Sequence, residues 1–364
     1  MQIEPLSKLV VLQHDDLLSR DAAVRAKLLA AVQQAYGPHG LGILTVAGVP
    51  SLPELRQQLL PLSAQFVRLP KVALARYEDP ASSYSFGWSH GREAMEDGQV
   101  DSLKGSYYAN PLVENTNLPE DLQSEYPSYC RPNIWPDRDL PELRPAFQAL
   151  GRLLAEVGML VADLCDEYVQ SQGAALPPGR LRRIMEKGTP CCKARLLHYF
   201  AAPSNGCETG RSSPADWCGW HTDHGSLTGL VSAMYMKEGM PVESPDASSG
   251  LYIRDPRGQD VKAAFPADHI AYQMGEAMQV HSGGMLRAVM HCVRGAAGPA
   301  AAGVTRHSFA VFMQPRWDEP MELPEGAQAA EVGVHQYRPG LNFGQFSELT
   351  VKRYYHTNGR AVNA

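Results

Sequence analysis

His221 and Asp223 stand two residues apart in the string WHTDHGSLTGL at 220–230. On an extended strand alternate side chains leave from one face, so this spacing lets both meet a single ion. A third candidate ligand, His291, lies in a later apolar run, MLRAVMHCV. Two imidazoles and one carboxylate suit iron(II) and leave its remaining positions open to ligands from outside the protein. Further along come Arg306 and Ser308, again spaced to share a face of a strand. Arg306 offers a planar, permanently charged fork that matches a carboxylate, and the Ser308 hydroxyl adds a donor. Between Val304 and the apolar run FAVFM, an arginine that points inward needs such a partner. His269, His281 and His307 compete for the third ligand position. His307 alternates with Arg306 and so faces away from it, and His224 likewise faces away from Asp223.

The order His-x-Asp, distal His, Arg-x-Ser resembles the isopenicillin N synthase-like branch of the 2-oxoglutarate and iron(II)-dependent oxygenases. HTDHGSLTGL resembles that family's strand after its first ligands, and SGGMLRAVMHCV resembles the run into its distal histidine. Members carry Asn-x-Tyr-x-x-x-Pro upstream; here Leu197, Tyr199 and Pro203 take those places, with leucine where the family has asparagine. YGPHGLGILTVAGVP resembles the family's amino-terminal helix-to-strand entry. The likeness is loose over residues 20–70 and good over 190–315. It implies iron(II) held by His221, Asp223 and His291. It also implies 2-oxoglutarate as co-substrate on Arg306, Ser308 and Tyr199, with dioxygen and a small organic substrate as the other reactants. The implied reaction couples oxidative decarboxylation of 2-oxoglutarate to substrate oxidation, with hydroxylation as the default outcome. Two other readings stay open: an iron oxidase of the same fold that uses no 2-oxoglutarate, which the Leu197 departure keeps open, and a sensor that binds 2-oxoglutarate or metal without turnover.

The elements that must position these residues fall into two textures. Val24, Leu28, Val32 and Tyr36 recur every four residues, predicting a helix over 20–36 that Gly37-Pro38 stops. LGILTVAGV reads as a strand, and Ser51, Pro53 and Glu54 as the cap, early proline and capping-box acid of a second helix in which Pro61 should introduce a kink. Apolar positions from Leu143 to Tyr168 recur at three or four, predicting a long amphipathic helix over 140–172 that ends at Gly173. After Gly188 come short β-branched or aromatic runs: ARLLHYF, SLTGLVSAMYM, GLYIRD, DHIAYQM, MLRAVMHCVRG and TRHSFAVFMQP. Segments 202–218 and 240–249 read as loops, and SELTVKRYYH as a final helix. The expected architecture is mainly β with flanking α. A double-stranded β-helix (jelly roll) core at 190–315 would be wrapped by a helical and mixed region at 1–189 and a helix-bearing segment at 316–364. Tyr84, Phe86, Trp88, His90, Arg92, Tyr107 and Tyr108 suit either a pocket mouth or packing between the halves.

Composition narrows the class. Apolar residues make 44% and charged residues 20% of 364, the balance of a globular chain and not of a disordered one. A net charge of -6 without a run of Lys or Arg argues against a nucleic-acid partner. No stretch reaches the roughly 18 apolar residues of a membrane span, and the opening MQIEPLSKLVVLQHDDLLSR lacks a basic start with a long apolar stretch, so the expected compartment is the cytoplasm. The seven cysteines contain no C-x-x-C pair and suit free thiols in a reducing compartment; a zinc site of Cys191, Cys192, Cys207 and Cys218 is disfavoured because two adjacent cysteines rarely reach one tetrahedral ion.

Overall fold

A computed structural model describes residues 9–92, 102–114, 120–201 and 216–356. Fourteen strands occur among them: β1 (Val10–Gln13), β2 (Ile43–Ala47), β3 (Gly87–His90), β4 (Lys104–Ala109), β5 (Lys193–Tyr199), β6 (Asp216–His221), β7 (Leu227–Val231), β8 (Met234–Lys237), β9 (Met240–Val242), β10 (Gly250–Arg254), β11 (Asp260–Lys262), β12 (Ile270–Met274), β13 (His291–Arg294) and β14 (Val304–Met313). The major sheet runs β1-β2-β12-β7-β14-β5-β4-β3, with the β8–β9 hairpin attached to the first half of β14. The minor sheet runs β11-β10-β13-β6. Two facing sheets with open edges result, not a closed barrel.

The strand runs anticipated after Gly188 all form, with two shifts. Met285–Met290 is not strand, so β13 begins only at His291, and a short helix, Glu276–His281, precedes it. The stretch 240–249 begins with β9 before it turns into loop. Pro203 and Cys207 lie outside the described residues. The major sheet also draws β1 to β4 from before residue 190, so the amino-terminal region shares a sheet with the 190–315 core.

Helix Leu143–Ser171 packs on the outer face of the major sheet because its three-and-four spacing makes one apolar stripe. Leu154, Val157 and Val161 share a core with Tyr272, Phe309 and Val311. Each such side chain contributes roughly 1.5–3 kcal/mol of burial. The helix sits close at Gly158, where a Cβ would come 2.5 Å from the Met313 sulfur and displace that side chain. Helix Ala22–Tyr36 is capped by Asp21, whose carboxylate accepts from the Ala23 and Val24 amides. The helix expected after Ser51 forms as Leu52–Phe66 and continues through Pro61, but its cap differs. Ser51 is left-handed at φ 61° and makes no side-chain cap bond. Helix Phe343–His356 supplies the expected carboxy-terminal element.

Candidate metal centre

The two histidines meet because β6 and β13 are antiparallel neighbours in which His221 pairs directly with His291. Their ring centroids are 4.2 Å apart. Asp223 is not on the strand with His221, as the spacing suggested, but in the connection from β6 to β7. That connection is pinned from below. The Glu276 amide donates to the Asp223 carbonyl at 2.8 Å and the Gly275 amide to the Ser226 carbonyl at 3.0 Å. A Cβ at Gly275 would lie 2.2 Å from the Gly225 carbonyl oxygen, so only glycine permits this approach. Asp223 Oδ1 then lies 3.8 Å from His221 Nε2 and 3.9 Å from His291 Nε2. Among the described residues these three side chains are the one His/Cys/Asp/Glu cluster with its ligand atoms mutually within 4.8 Å.

Each ligand atom is aimed by a second contact. His221 Nδ1–H donates to the Gly219 carbonyl at 2.8 Å and His291 Nδ1–H to the Val289 carbonyl at 3.1 Å; a carbonyl only accepts, so each ring is fixed with Nε2 turned toward Asp223. The Thr228 hydroxyl donates to Asp223 Oδ2 at 2.6 Å, turning Oδ1 toward the imidazoles. Burial opposes a charged imidazole at His221, but Cys218 and Asp223 outweigh it and raise its pKa to about 9. At His291 burial dominates, and His221 adds to it, bringing the value down to about 4. Burial also works against the Asp223 carboxylate, and the two histidines overcome it and hold its pKa below the usual range. Ligation by a metal requires neutral imidazoles and an ionised carboxylate, so uptake displaces the proton that His221 favours.

The cluster opens on a cavity of about 260 Å³ between the sheets. Register fixes what lines its floor. Across β14, Arg306 pairs with Tyr199 and Ser308 with Leu197 on β5. Arg306 is buried, its guanidinium stacks on the Tyr199 ring at 4.9 Å, and one terminal nitrogen donates to Ser308 Oγ at 3.5 Å. Its Nε has no hydrogen-bond partner, and among the described residues no carboxylate lies within ion-pair distance of it. A buried guanidinium in that state calls for an anion. On its other side Arg306 pairs with Tyr235 of β8; burial works to raise that phenol's pKa, and the guanidinium overrides it downward. Leu197 also lines the cavity, so the family's asparagine position is an apolar wall here.

The competing histidines go elsewhere. His281 Nε2 bonds the Pro320 carbonyl, His269 Nδ1 the Thr45 hydroxyl, and His307 lies on the opposite face of β14 against Ser63 and Thr305. His224 bonds Tyr129 and stacks on Phe343. Trp88 and Tyr107 pack edge-on against Phe66, away from the cavity. Sequence reasoning missed Thr228, Tyr235, Arg195 and Gln273. Thr228 sits in the ligand string five residues after Asp223, but nothing in its type marks it; the others lie on strands that register alone brings to the cavity.

No family model matches the chain. It is 25% identical over 228 residues to the 2-oxoglutarate-dependent dioxygenases citB of Monascus ruber and mpl2 of Monascus purpureus. The match takes in 60% of the chain and spans 62% of the length of those relatives. Among solved structures, a full-length Neurospora crassa protein in complex with alpha-KG and thymine superimposes with a TM-score of 0.70 at 19% identity, covering 98% of this chain and 99% of that one. JOX2 in complex with 2OG, Fe and JA gives 0.63 at 18% identity, covering 96% and 88%. The fold is therefore the jelly roll of the 2-oxoglutarate and iron(II)-dependent oxygenases, and the superfamily resemblance read from the sequence is borne out.

Proposed function

We propose that this chain is an iron(II)- and 2-oxoglutarate-dependent oxygenase that couples decarboxylation of 2-oxoglutarate to oxidation, by default hydroxylation, of a small organic substrate. The observation that carries the reading is one cavity with a convergent His221–Asp223–His291 cluster and, on its floor, a buried Arg306 whose Nε lacks a partner. The donor set fits iron(II), and the fork fits a carboxylate.

In this reading His221, Asp223 and His291 hold the metal through Nε2, Oδ1 and Nε2. Bound iron(II) with 2-oxoglutarate supplies the oxidation of the substrate by dioxygen. Arg306 and Ser308 bind the distal carboxylate of 2-oxoglutarate, with Tyr199 beneath the guanidinium fixing its plane. Thr228 orients Asp223, and the Gly219 and Val289 carbonyls, by accepting from Nδ1–H, aim the imidazole Nε2 atoms at the metal position. Leu230, Val231, Leu251, Val293 and Phe312 make the walls apolar, which keeps water from the reacting groups. An oxidase that takes no 2-oxoglutarate would leave Arg306 buried without an anion. We propose the cytoplasm as its compartment, on the unbridged thiols of Cys165, Cys191, Cys192 and Cys218.

The test is succinate formation from 2-oxoglutarate in air. It should depend on added iron(II), be lost in His291→Ala, and rise when a small-molecule panel contains the substrate. Iron and 2-oxoglutarate binding with no succinate under any condition would instead identify a sensor.

A further inference from the structure

Strand β14 has a tyrosine on each side of Arg306. Tyr199 of β5 pairs with the arginine across one edge of the strand, and Tyr235 of β8 pairs with it across the other. Directly opposed residues of antiparallel strands have Cβ atoms about 4.5–5.5 Å apart, so both rings stand beside the same side chain. Alternation along β8 decides where the second tyrosine points. Met234 and Met236 are buried in the core that holds Leu59 and Leu60 of helix Leu52–Phe66. Tyr235, between them, turns to the opposite face, lines the cavity, and packs on the cluster that contains Tyr199 and Leu197.

The Tyr235 phenol ends a chain of hydroxyls. Its oxygen lies 3.1 Å from Ser249 Oγ, which lies 3.1 Å from Ser244 Oγ. The Ser249 and Ser244 hydroxyls also reach the Asp246 carbonyl, at 2.9 and 3.0 Å, and the Ser249 amide donates to the same oxygen at 3.0 Å. A carbonyl oxygen has two lone pairs, so three donors leave one in surplus. The Ser249 hydroxyl can therefore turn to the phenol oxygen without leaving Asp246 unsatisfied, which frees the Tyr235 O–H for the cavity. What it meets there is set by Arg306, whose buried Nε has no partner. Burial works to raise the Tyr235 pKa, yet Arg306 and then Ser249 draw it below its usual value, as suits a group facing an anion site.

We propose that Tyr235 is a further co-substrate-binding residue, its phenol donating to the distal carboxylate of 2-oxoglutarate beside Arg306 and Ser308 while Ser249 donates to the phenol oxygen. This rests on the oxygenase reading and deepens it. A carboxylate offers about four acceptor positions. The Arg306 fork and the Ser308 hydroxyl fill three, and the phenol takes the fourth. The two tyrosines then differ in role: Tyr199 supports the guanidinium with its ring face, and Tyr235 reaches the anion with its hydroxyl. The added donor acts only on a ligand that has a distal carboxylate, so it selects a 2-oxo diacid over a 2-oxo monoacid.

The test uses the full chain loaded anaerobically with iron(II) and titrated with 2-oxoglutarate or with 2-oxobutyrate, which keeps the chelating 2-oxo acid and has no distal carboxylate. The readout is the visible charge-transfer band of the chelate. Tyr235→Phe should weaken 2-oxoglutarate by roughly tenfold or more and leave 2-oxobutyrate within about twofold of wild type, with iron affinity and melting temperature unchanged. Equal weakening of both acids would assign Tyr235 to packing, and an unchanged 2-oxoglutarate affinity would show that the phenol makes no contact with it. Either result overturns the proposal and leaves the oxygenase reading in place. A wild type that gives the band with neither acid refutes that reading itself, and the proposal with it.

Discussion

Replacing Thr228 with valine removes one hydrogen bond and little else, because the two side chains have nearly the same shape. Thr228 and Asp223 are both buried, and the hydroxyl meets Oδ2 at 2.6 Å, the short contact of a donor to a charged acceptor. Such a bond contributes about 1.5–3 kcal/mol. Part of that is lost in the metal-free protein too, so the differential effect on iron falls nearer 1.4–2.7 kcal/mol, or roughly 10- to 100-fold in affinity, as for other groups that orient metal ligands. Thr228→Ser restores the hydroxyl and should restore binding to within a few-fold. The assay is an anaerobic titration with iron(II), repeated with manganese(II), on variants whose thermal melts match wild type. A folded Thr228→Val that binds iron as tightly as wild type would refute the reasoning that Oδ2 must be tied back for Oδ1 to serve as ligand.

Arg306→Lys keeps the charge and loses the fork, so the KM for 2-oxoglutarate should rise by roughly one to two powers of ten while iron affinity holds; an unchanged KM in steady-state titration would remove Arg306 from the co-substrate site. Leu197→Asn places an amide on the cavity wall across from Ser308, and 2-oxoglutarate binding measured by dialysis should be preserved or tightened; loss of binding in a folded variant would place residue 197 in the packing and not at the ligand. Burial, with His307 next in importance, holds His198 neutral down to about 3, and burial, then Arg306, holds His307 neutral down to about 4. Unfolded, each takes a proton near pH 6.5, so their contribution is fully present above that pH and is lost as pH falls toward 4, at up to about 1.4 kcal/mol per histidine per pH unit. Urea unfolding at pH 7 and pH 5 should show the loss, and His198→Leu should flatten it.

Much of the site could be read from residue type and spacing. Arg306 and Ser308 sit on a regular strand, where alternation decides the face, and the same rule correctly turned His307 away. His221 and Asp223 do meet, although a strand is not what brings them together. The turn depends on Gly275 and the Glu276 amide, more than fifty residues on, which no local pattern shows. Helix Glu276–His281 is too short for a periodic signal, and the apolar run Met285–Met290 mimics a strand while its backbone follows other partners. Arg195 and Gln273 became visible only through register, since a sheet collects cavity residues from strands scattered along the chain. The serine before helix Leu52–Phe66 had the type of a cap but not its backbone geometry.

The central claim, one cavity binding iron(II) and 2-oxoglutarate together, is tested most directly by the visible spectrum of anaerobic protein. Wild type given both should develop the charge-transfer band of a chelated 2-oxo acid, at one equivalent of each. Asp223→Ala and His291→Ala should show none, while His269→Ala, whose imidazole bonds Thr45, should keep it. A folded wild-type protein that binds iron(II) and gives no such band, or an Asp223→Ala variant that retains it, would contradict the account.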